Sequence, residues 1–366
     1  MLPVQMFLIN EVQNDERMYQ NRIQKRTMRD ASDPFALPDR RFIDLFRLNK
    51  NVVHYLFETL MPFMEAEERR SRVPRQTRIL VALRFFATGD YQRGVGEEYL
   101  LSASQQVVSR CIDEVATCIA TNLSRLWIKF PMDERRRNDI KRRFMEKAGF
   151  PGIIGCIDCT HIAILAPAHE EHIYVNRKGF HSKNVQIICN DKLEILNINA
   201  MYPGSTNDAF IWRGSQIKHL LEEEYNRGGR NNWLLGDSGY PLEPWLLTPF
   251  ENPNPDSPEG RYNHSHKITR SIIERCNGRL KLVFRCTLGE RKLRYNPIKV
   301  GTIINACAVL HNISLRAAVQ YEINFQDNIL NMDIINFQGN NQVPGLPVLE
   351  EARQVRQQLL NRYFQR

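Results

Sequence analysis

Ile153-Ile154-Gly155-Cys156-Ile157-Asp158 is a short apolar run that ends on a carboxylate. A second run behaves alike: Trp233-Leu234-Leu235-Gly236-Asp237, followed by Ser238-Gly239-Tyr240-Pro241. Short Ile- and Leu-rich runs bounded by turn residues read as buried strands, and each of these delivers an acid at its end. A third acid, Glu274, lies inside a helical pattern, Thr269-Arg270-Ser271-Ile272-Ile273-Glu274-Arg275. Two carboxylates at strand ends and one on a later helix can converge on one point.

The surroundings of these runs set the fold class. Ile162 to Leu165, Val185 to Cys189 and Ile195 to Ala200 also read as short strands. Pro203-Gly204-Ser205-Thr206-Asn207-Asp208 is a turn opening a helix from Ala209, with Ser205 or Asp208 as its cap. A Pro-rich loop, Pro249 to Gly260, precedes the helix that begins near His266 and carries Glu274, and Ala306 to Ala318 forms one more apolar helix. Strands first and helices later around one sheet make an α/β layered domain over residues 151–318. Before it, residues 41–147 have helical periodicity throughout. Phe42, Leu45, Phe46, Val53, Leu56, Phe57 and Leu60 form one apolar stripe; Ile79, Leu80, Leu83 and Phe86 form another, ended by Gly89. Residues 1–40 are polar and read as a flexible arm. Residues 319–366 form an Asn- and Gln-rich tail that ends in a polar helix from about Leu349.

Within the helical region, Ser102 is a good N-cap, and Val108, Cys111, Ile112, Val115 and Ile119 give the next helix a buried face. Its first turns present Ser104, Gln105, Gln106, Ser109 and Arg110. Short polar residues with one Arg at the start of a second helix suit a helix-turn-helix reading head, with Gln105, Gln106 and Arg110 contacting DNA. The same pattern fits a plain helical bundle with a wet face.

The bulk numbers agree with polyanion binding. The 366 residues are 42% hydrophobic and 25% charged, with a net charge of +9 and a pI near 9.2, so nucleic acid is the first partner to test. Arg135, Arg136, Arg137, Lys141, Arg142 and Arg143 cluster around one acid, Asp139. That run suits phosphate contact or nuclear import, and equally the solvated face of a helix. Cys156 and Cys159 spell C-x-x-C, but Asp158 lies inside the pair and no second such pair follows. Structural cysteines in a reducing compartment are expected. The apolar patch from Val4 to Ile9 has neither the basic flank nor the cleavage site of a signal peptide. No apolar run approaches the roughly 18 residues of a membrane span, so no membrane partner is expected.

Three gathered carboxylates raise one another's pKa and call for a cation. Asp and Glu oxygens select hard ions, Mg²⁺ or Mn²⁺. A pair of such ions roughly 4 Å apart activates a water or a 3′-hydroxyl and stabilises the leaving oxygen. Around Glu274, residues Lys267, Arg270, Gly278 and Lys281 share roughly one helix face, while Ile268, Ile272, Ile273, Cys276 and Leu280 turn toward the core. Lys267, Arg270 and Lys281 beside the carboxylate suit a phosphate backbone; Arg270 and Glu274 alone would also make an ordinary surface pair. Asp208 reads as a helix cap, and His161 as a core or edge residue.

The ordered motifs Gly155-Cys156-Ile157-Asp158-Cys159-Thr160-His161, Val175-Asn176-Arg177-Lys178-Gly179, Pro203-Gly204-Ser205 with Asp208, Leu235-Gly236-Asp237-Ser238-Gly239-Tyr240, Ile273-Glu274-Arg275 with Gly278-Arg279-Leu280-Lys281, and Cys307-Ala308-Val309-Leu310-His311-Asn312 resemble the PIF/Harbinger DDE transposases. Within that group they resemble the harbinger transposase-derived nucleases of animals. The resemblance covers about residues 40–318. It implies an RNase H-like catalytic domain, a divalent-metal nuclease cutting DNA, metal-binding acids at Asp158, Asp208, Asp237 and Glu274, a Myb-like protein partner, and residence in the nucleus with the cytoplasm as a second site. Cys159 stands where many transposases have Gly, and Asn207 where many have His. The rival reading is a retired transposase that binds DNA or a partner without cutting.

Overall fold

A computed structural model describes residues 3–67, 73–321 and 345–365. The N-terminal half is helical: α1 (Pro3–Asp30), α2 (Asp39–Phe46), α3 (Lys50–Leu60), α4 (Arg75–Thr88), α5 (Gln92–Glu97), α6 (Gln105–Asn122), α7 (Ser124–Trp127) and α8 (Glu134–Ala148). The arm expected over residues 1–40 is therefore largely a helix. Side chains along α1 from residue 11 onward are mostly exposed, but Lys25 Nζ donates to Ala103 O at 3.1 Å and Ser32 Oγ to Leu100 O at 3.3 Å. Those bonds tie its C-terminal end to the turn before α6. Gly89 ends α4 in the left-handed region, as expected, and its N–H closes onto Phe85 O. The cap of α6 is Ser104, whose hydroxyl accepts from Val107 N. Ser102 instead sits in the turn at φ 33 and donates to Tyr99 O.

From residue 153 the chain builds one five-stranded sheet from β1 (Ile153–Ala163), β2 (Ser182–Cys189), β3 (Ile195–Pro203), β4 (Trp233–Leu235) and β5 (Leu246–Leu247), in the order β3-β2-β1-β4-β5. The first three strands run antiparallel; β4 joins β1 in parallel, and β5 joins β4 in parallel. This is the mixed sheet of an RNase H-like domain. The two short strands expected at 153–157 and 162–165 are one continuous strand, so Asp158 lies in the middle of β1 and not at its end. Pairing with β2 continues from Cys156↔Cys189 to Ala163↔Ser182 and holds the strand extended past the acid.

Helices cover both faces. The short α9 (Glu171–Tyr174) lies between β1 and β2, and α10 (Asp208–Arg213) and α11 (Gln216–Asn226) lie between β3 and β4. Trp212, Ile217 and Leu221 pack with Ile154, Ile157, Ile188 and Leu234 on one face of the sheet. On the other face lie α8, α12 (Pro258–Val283) and α13 (Pro297–Arg316). There Ile272, Ile273, Cys276, Ile303 and Cys307 join Ile153, Cys156 and Leu235 in a core that continues into α2–α6. α12 starts at Pro258, capped by the Ser257 hydroxyl, well before His266. Asn312 on α13 satisfies both backbone groups of Ile195 and also donates to Trp127 O, clamping edge strand β3. α13 is long and apolar enough to cross a bilayer, but 72% of its apolar stretch is buried inside the fold. The terminal helix α14 (Leu346–Tyr363) sets Leu359, Leu360 and the following Phe364 against the core. The Asn/Gln-rich stretch of the tail, 322–344, lies outside the described residues.

Candidate active site

Sheet register places the first two acids. β1 and β4 pair Cys156 with Leu235, and Asp158 and Asp237 each stand two residues further along. Side chains alternate across a sheet with period two, so both acids project on the face of their paired neighbours, toward α12. A register shift between Ile153 and Gly155 sets that facing. Gly155 fits tightly there, since a Cβ would meet Ile188, Leu234 and Cys189 O at 3.1–3.2 Å. Cys156 and Cys159 fall on opposite faces; Cys156 Sγ donates to Thr269 O on α12 and Cys159 contacts Tyr240 OH. They cannot act as a C-x-x-C pair.

Glu274 comes from α12, and the centre of the site is its neighbour one turn earlier. The Arg270 guanidinium lies 3.3 Å from Glu274 Oε1, 3.8 Å from Asp158 Oδ1 and 3.9 Å from Asp237 Oδ2. Its side chain is only 16% exposed. The expectation that Arg270 faces a DNA backbone meets a guanidinium turned onto the carboxylates, and the Arg270–Glu274 contact is a half-buried pair. Asp158 is further held by Asn277 Nδ2, which donates to Oδ2 at 3.1 Å. Asp237 Oδ1 accepts from Gly239 N at 2.9 Å.

Asp208 stands apart from this trio. It opens α10, whose cap is Asn207, neither Ser205 nor Asp208. Asn184 Nδ2 on β2 donates to Asp208 Oδ1 at 3.0 Å. Nearby, Gly204 lets the turn before α10 press against Ser182 and Tyr174, because a Cβ there would lie 2.4 Å from Ser182 Oγ and 2.5 Å from Tyr174 O. Burial pushes Asp208 up to about 6, against the hydrogen bonds of Asn184 and Cys159 and with help from Asp237. Burial likewise pushes Asp158 up to about 7; Arg270 opposes this, while Asp237, Asp208 and Glu274 add to it. One guanidinium thus leaves the carboxylates short of positive charge.

The all-oxygen donor set and that charge deficit fit a hard divalent cation. So does Asn277 Oδ1, a buried acceptor without a hydrogen-bond partner beside Asp158. The placement does not yet form a cage: among the described residues no three acidic, His or Cys side chains are set to hold one ion. Three of the four expected ligands, Asp158, Asp237 and Glu274, gather around Arg270.

The remaining candidates divide. Lys281 Nζ donates to His161 O at 3.1 Å, beside the acids. His161 bonds Ser182 Oγ through Nδ1 and is pushed down to about 4 by burial and by Lys281, Arg177 and Lys178, so it is neutral at pH 7. Lys267 is exposed on α12, as is Ile268, which does not join the core. Gln105, Gln106 and Arg110 are exposed on the first turns of α6, which follows α5 after the turn at 98–104. The basic run lies on α8 and is partly structural. Arg137 pairs with Glu224, and Arg143 and Lys147 pair with buried Asp191. Asn184, Asn277 and Gly155 were not singled out for the site. Their one signal was polarity or smallness inside otherwise apolar elements.

Residues 157–312 match the family described as DDE superfamily endonuclease. "Putative nuclease HARBI1" of Rattus norvegicus is 37% identical over 279 residues, which cover 76% of this chain and 78% of that protein. Its Homo sapiens counterpart is 36% identical over the same shares. "Protein ALP1-like" of Arabidopsis thaliana is 24% identical over 75% of this chain and 70% of its own length.

Proposed function

The chain belongs to the Harbinger-derived branch of the DDE superfamily endonucleases, and from that premise we propose that it is a divalent-metal-dependent nuclease cutting DNA at Asp158, Asp237 and Glu274. The observation that carries this reading is the convergence of three carboxylates, from two paired strands and one helix, on a single cationic centre. Asp158, Asp237 and Glu274 would hold Mg²⁺ or Mn²⁺, with Asp208 assisting through its charge on Asp158 and Asp237. The ion would activate the attacking oxygen and neutralise charge on the leaving one.

The chain's own groups do the rest. Asn277 and the Gly239 amide fix the orientation of two carboxylates, since preorganised ligands need no rearrangement during reaction. Lys281, with Arg177 and Lys178 nearby, forms a basic margin through His161, and exposed Lys267 extends it along α12. This margin suits the phosphates flanking a cut site. Attack by water gives nicking, and attack by a DNA 3′-hydroxyl gives strand transfer. Exposed Gln105, Gln106 and Arg110 are proposed as a separate DNA contact. Nuclear residence and a Myb-like partner follow from the family reading as further proposals, and the solvent-facing basic residues of α8 are where import contacts would be sought.

A non-cutting, DNA- or partner-binding protein is the second reading. Arg270 favours it, because a guanidinium already occupies the point between the acids and neutralises part of their charge. Supercoiled plasmid with Mg²⁺ or Mn²⁺ separates the two. Wild type should nick it, and Asp158→Asn and Glu274→Gln should each lose most of that activity. A wild type that leaves the plasmid intact, or variants that cut equally well, would reject the nuclease reading.

A further inference from the structure

We propose that Arg270 is a built-in counter-ion that holds Asp158, Asp237 and Glu274 together in the metal-free protein and must swing out when a divalent cation enters. The proposal rests on the metal-dependent reading above and adds a gate to that site. The contacts identify a placeholder held by charge. Arg270 lies within 3.9 Å of all three acids, yet its distances to Asp158 and Asp237 are beyond hydrogen-bond length. Its Nη1 is buried without any hydrogen-bond partner. A guanidinium settled in a permanent carboxylate site forms a paired fork of short bonds; this one leaves a buried donor unsatisfied, so its hold is electrostatic and exchangeable.

The second observation is geometric. The acids surround one point, but no three of them are set to grip an ion, as expected when a bulky planar cation keeps them apart. A dication and Arg270 cannot share that point, because like charges at contact distance in a half-buried site repel strongly. The way out is open: Lys267 and Ile268, within a turn of Arg270 on α12, are both solvent-exposed. A rotamer change alone would carry Arg270 outward beside Lys267, where a phosphate backbone could take it. Loading of the cation and contact with DNA would then be linked through one side chain.

The test reads metal binding and side-chain exposure, without nuclease activity. Mn²⁺ is titrated calorimetrically into wild type, Arg270→Gln, Arg270→Lys and Asp158→Asn, with folding checked by circular dichroism. Arg270→Gln should bind Mn²⁺ about tenfold tighter or more, with Arg270→Lys between it and wild type. In parallel, unmutated protein is treated with phenylglyoxal, with and without Mn²⁺, and the peptide carrying Arg270 is quantified by mass spectrometry. Labelling should rise severalfold with Mn²⁺ as the guanidinium leaves its carboxylates. Unchanged or weaker Mn²⁺ binding by folded Arg270→Gln, or Arg270 labelling indifferent to Mn²⁺, overturns the gate. If Asp158→Asn still abolishes Mn²⁺ binding in that case, the metal reading survives and the gate alone falls. If neither wild type nor Arg270→Gln binds Mn²⁺, both fall.

Discussion

Asn277 Nδ2 donates to Asp158 Oδ2 at 3.1 Å, joining α12 to the middle of β1 across the site. Asn277 lies three residues after Glu274 on the same helix face, so one helix supplies both a carboxylate and the group that orients another. A hydrogen bond to a charged acceptor is worth roughly 1.5–3 kcal/mol. Asn277→Ala should therefore lower plasmid nicking by about tenfold or more and raise the Asp158 pKa further. The pH–rate profile checks it: the acidic limb should move to higher pH, and an unmoved limb would show that Asn277 does not act on Asp158.

The raised carboxylates make metal-free stability depend on pH. Asp158 near 7 and Asp208 near 6 in the fold compare with about 3.9 in an unfolded chain. Between those values the folded state binds more protons, so their contribution is fully present below about pH 4 and lost as pH rises to about 7. His161 and His266, pushed down by burial to about 4 and about 3, act in the opposite sense below about pH 6.5. Comparison with Asp158→Asn isolates the carboxylate. In chelator, urea unfolding should find the variant gaining on wild type by on the order of 2 kcal/mol more at pH 8 than at pH 5. An equal difference at both pH values would contradict the buried-acid assignment.

The residues differ in how much of this their sequence discloses. Asp158 and Asp237 are legible because each terminates an apolar run, and the period-two rule then puts them on one face once the strands pair. The pairing is not legible: only the sheet shows that Cys156 faces Leu235, or that β1 continues past its acid. Arg270 shows the same gap. Its spacing from Glu274 gives the shared helix face, but nothing local says that this face is pressed onto the sheet. Ile268 errs the other way, since its side chain suggests the core and it is 45% exposed. Ser102 and Ser104 are equivalent as letters; the turn, in which Ala103 N bonds Gly96 O, leaves only Ser104 extended enough to cap α6. Helix α1 is polar and without a core-facing period, so nothing in its residues marks a helix there.

The exposed start of α6 predicts a DNA contact separable from cutting. Arg110→Ala should reduce the slope of log affinity against log salt by about 0.9, the share of one neutralised phosphate. Gln105→Ala with Gln106→Ala should leave that slope unchanged and narrow the gap between preferred and unrelated duplexes, by about 1–3 kcal/mol per lost base contact. All three side chains are exposed, so thermal stability should shift by less than about 0.5 kcal/mol. Fluorescence anisotropy across a salt series is the measurement. An unchanged slope in Arg110→Ala removes α6 from the DNA interface.

The basic run on α8 should split into two classes under alanine substitution. Arg137 is 7% exposed, pairs with Glu224 of α11 and donates to Pro131 O, so its loss strands a partly buried acid and frees a carbonyl. Glu224 keeps Asn232 as a donor and is 25% exposed, which reduces the cost of a fully buried broken pair to about 2 kcal/mol. Arg135 and Arg142 are exposed and Arg136 is half-buried, and their substitution should change stability by less than about 0.5 kcal/mol. If this face contacts phosphate, the same three substitutions should flatten the salt dependence of DNA binding together. Chemical unfolding beside a salt titration reads both classes. A destabilising Arg136→Ala or a neutral Arg137→Ala would reverse the assignment, because Arg137 reaches across to α11 and Arg136 makes no such bridge.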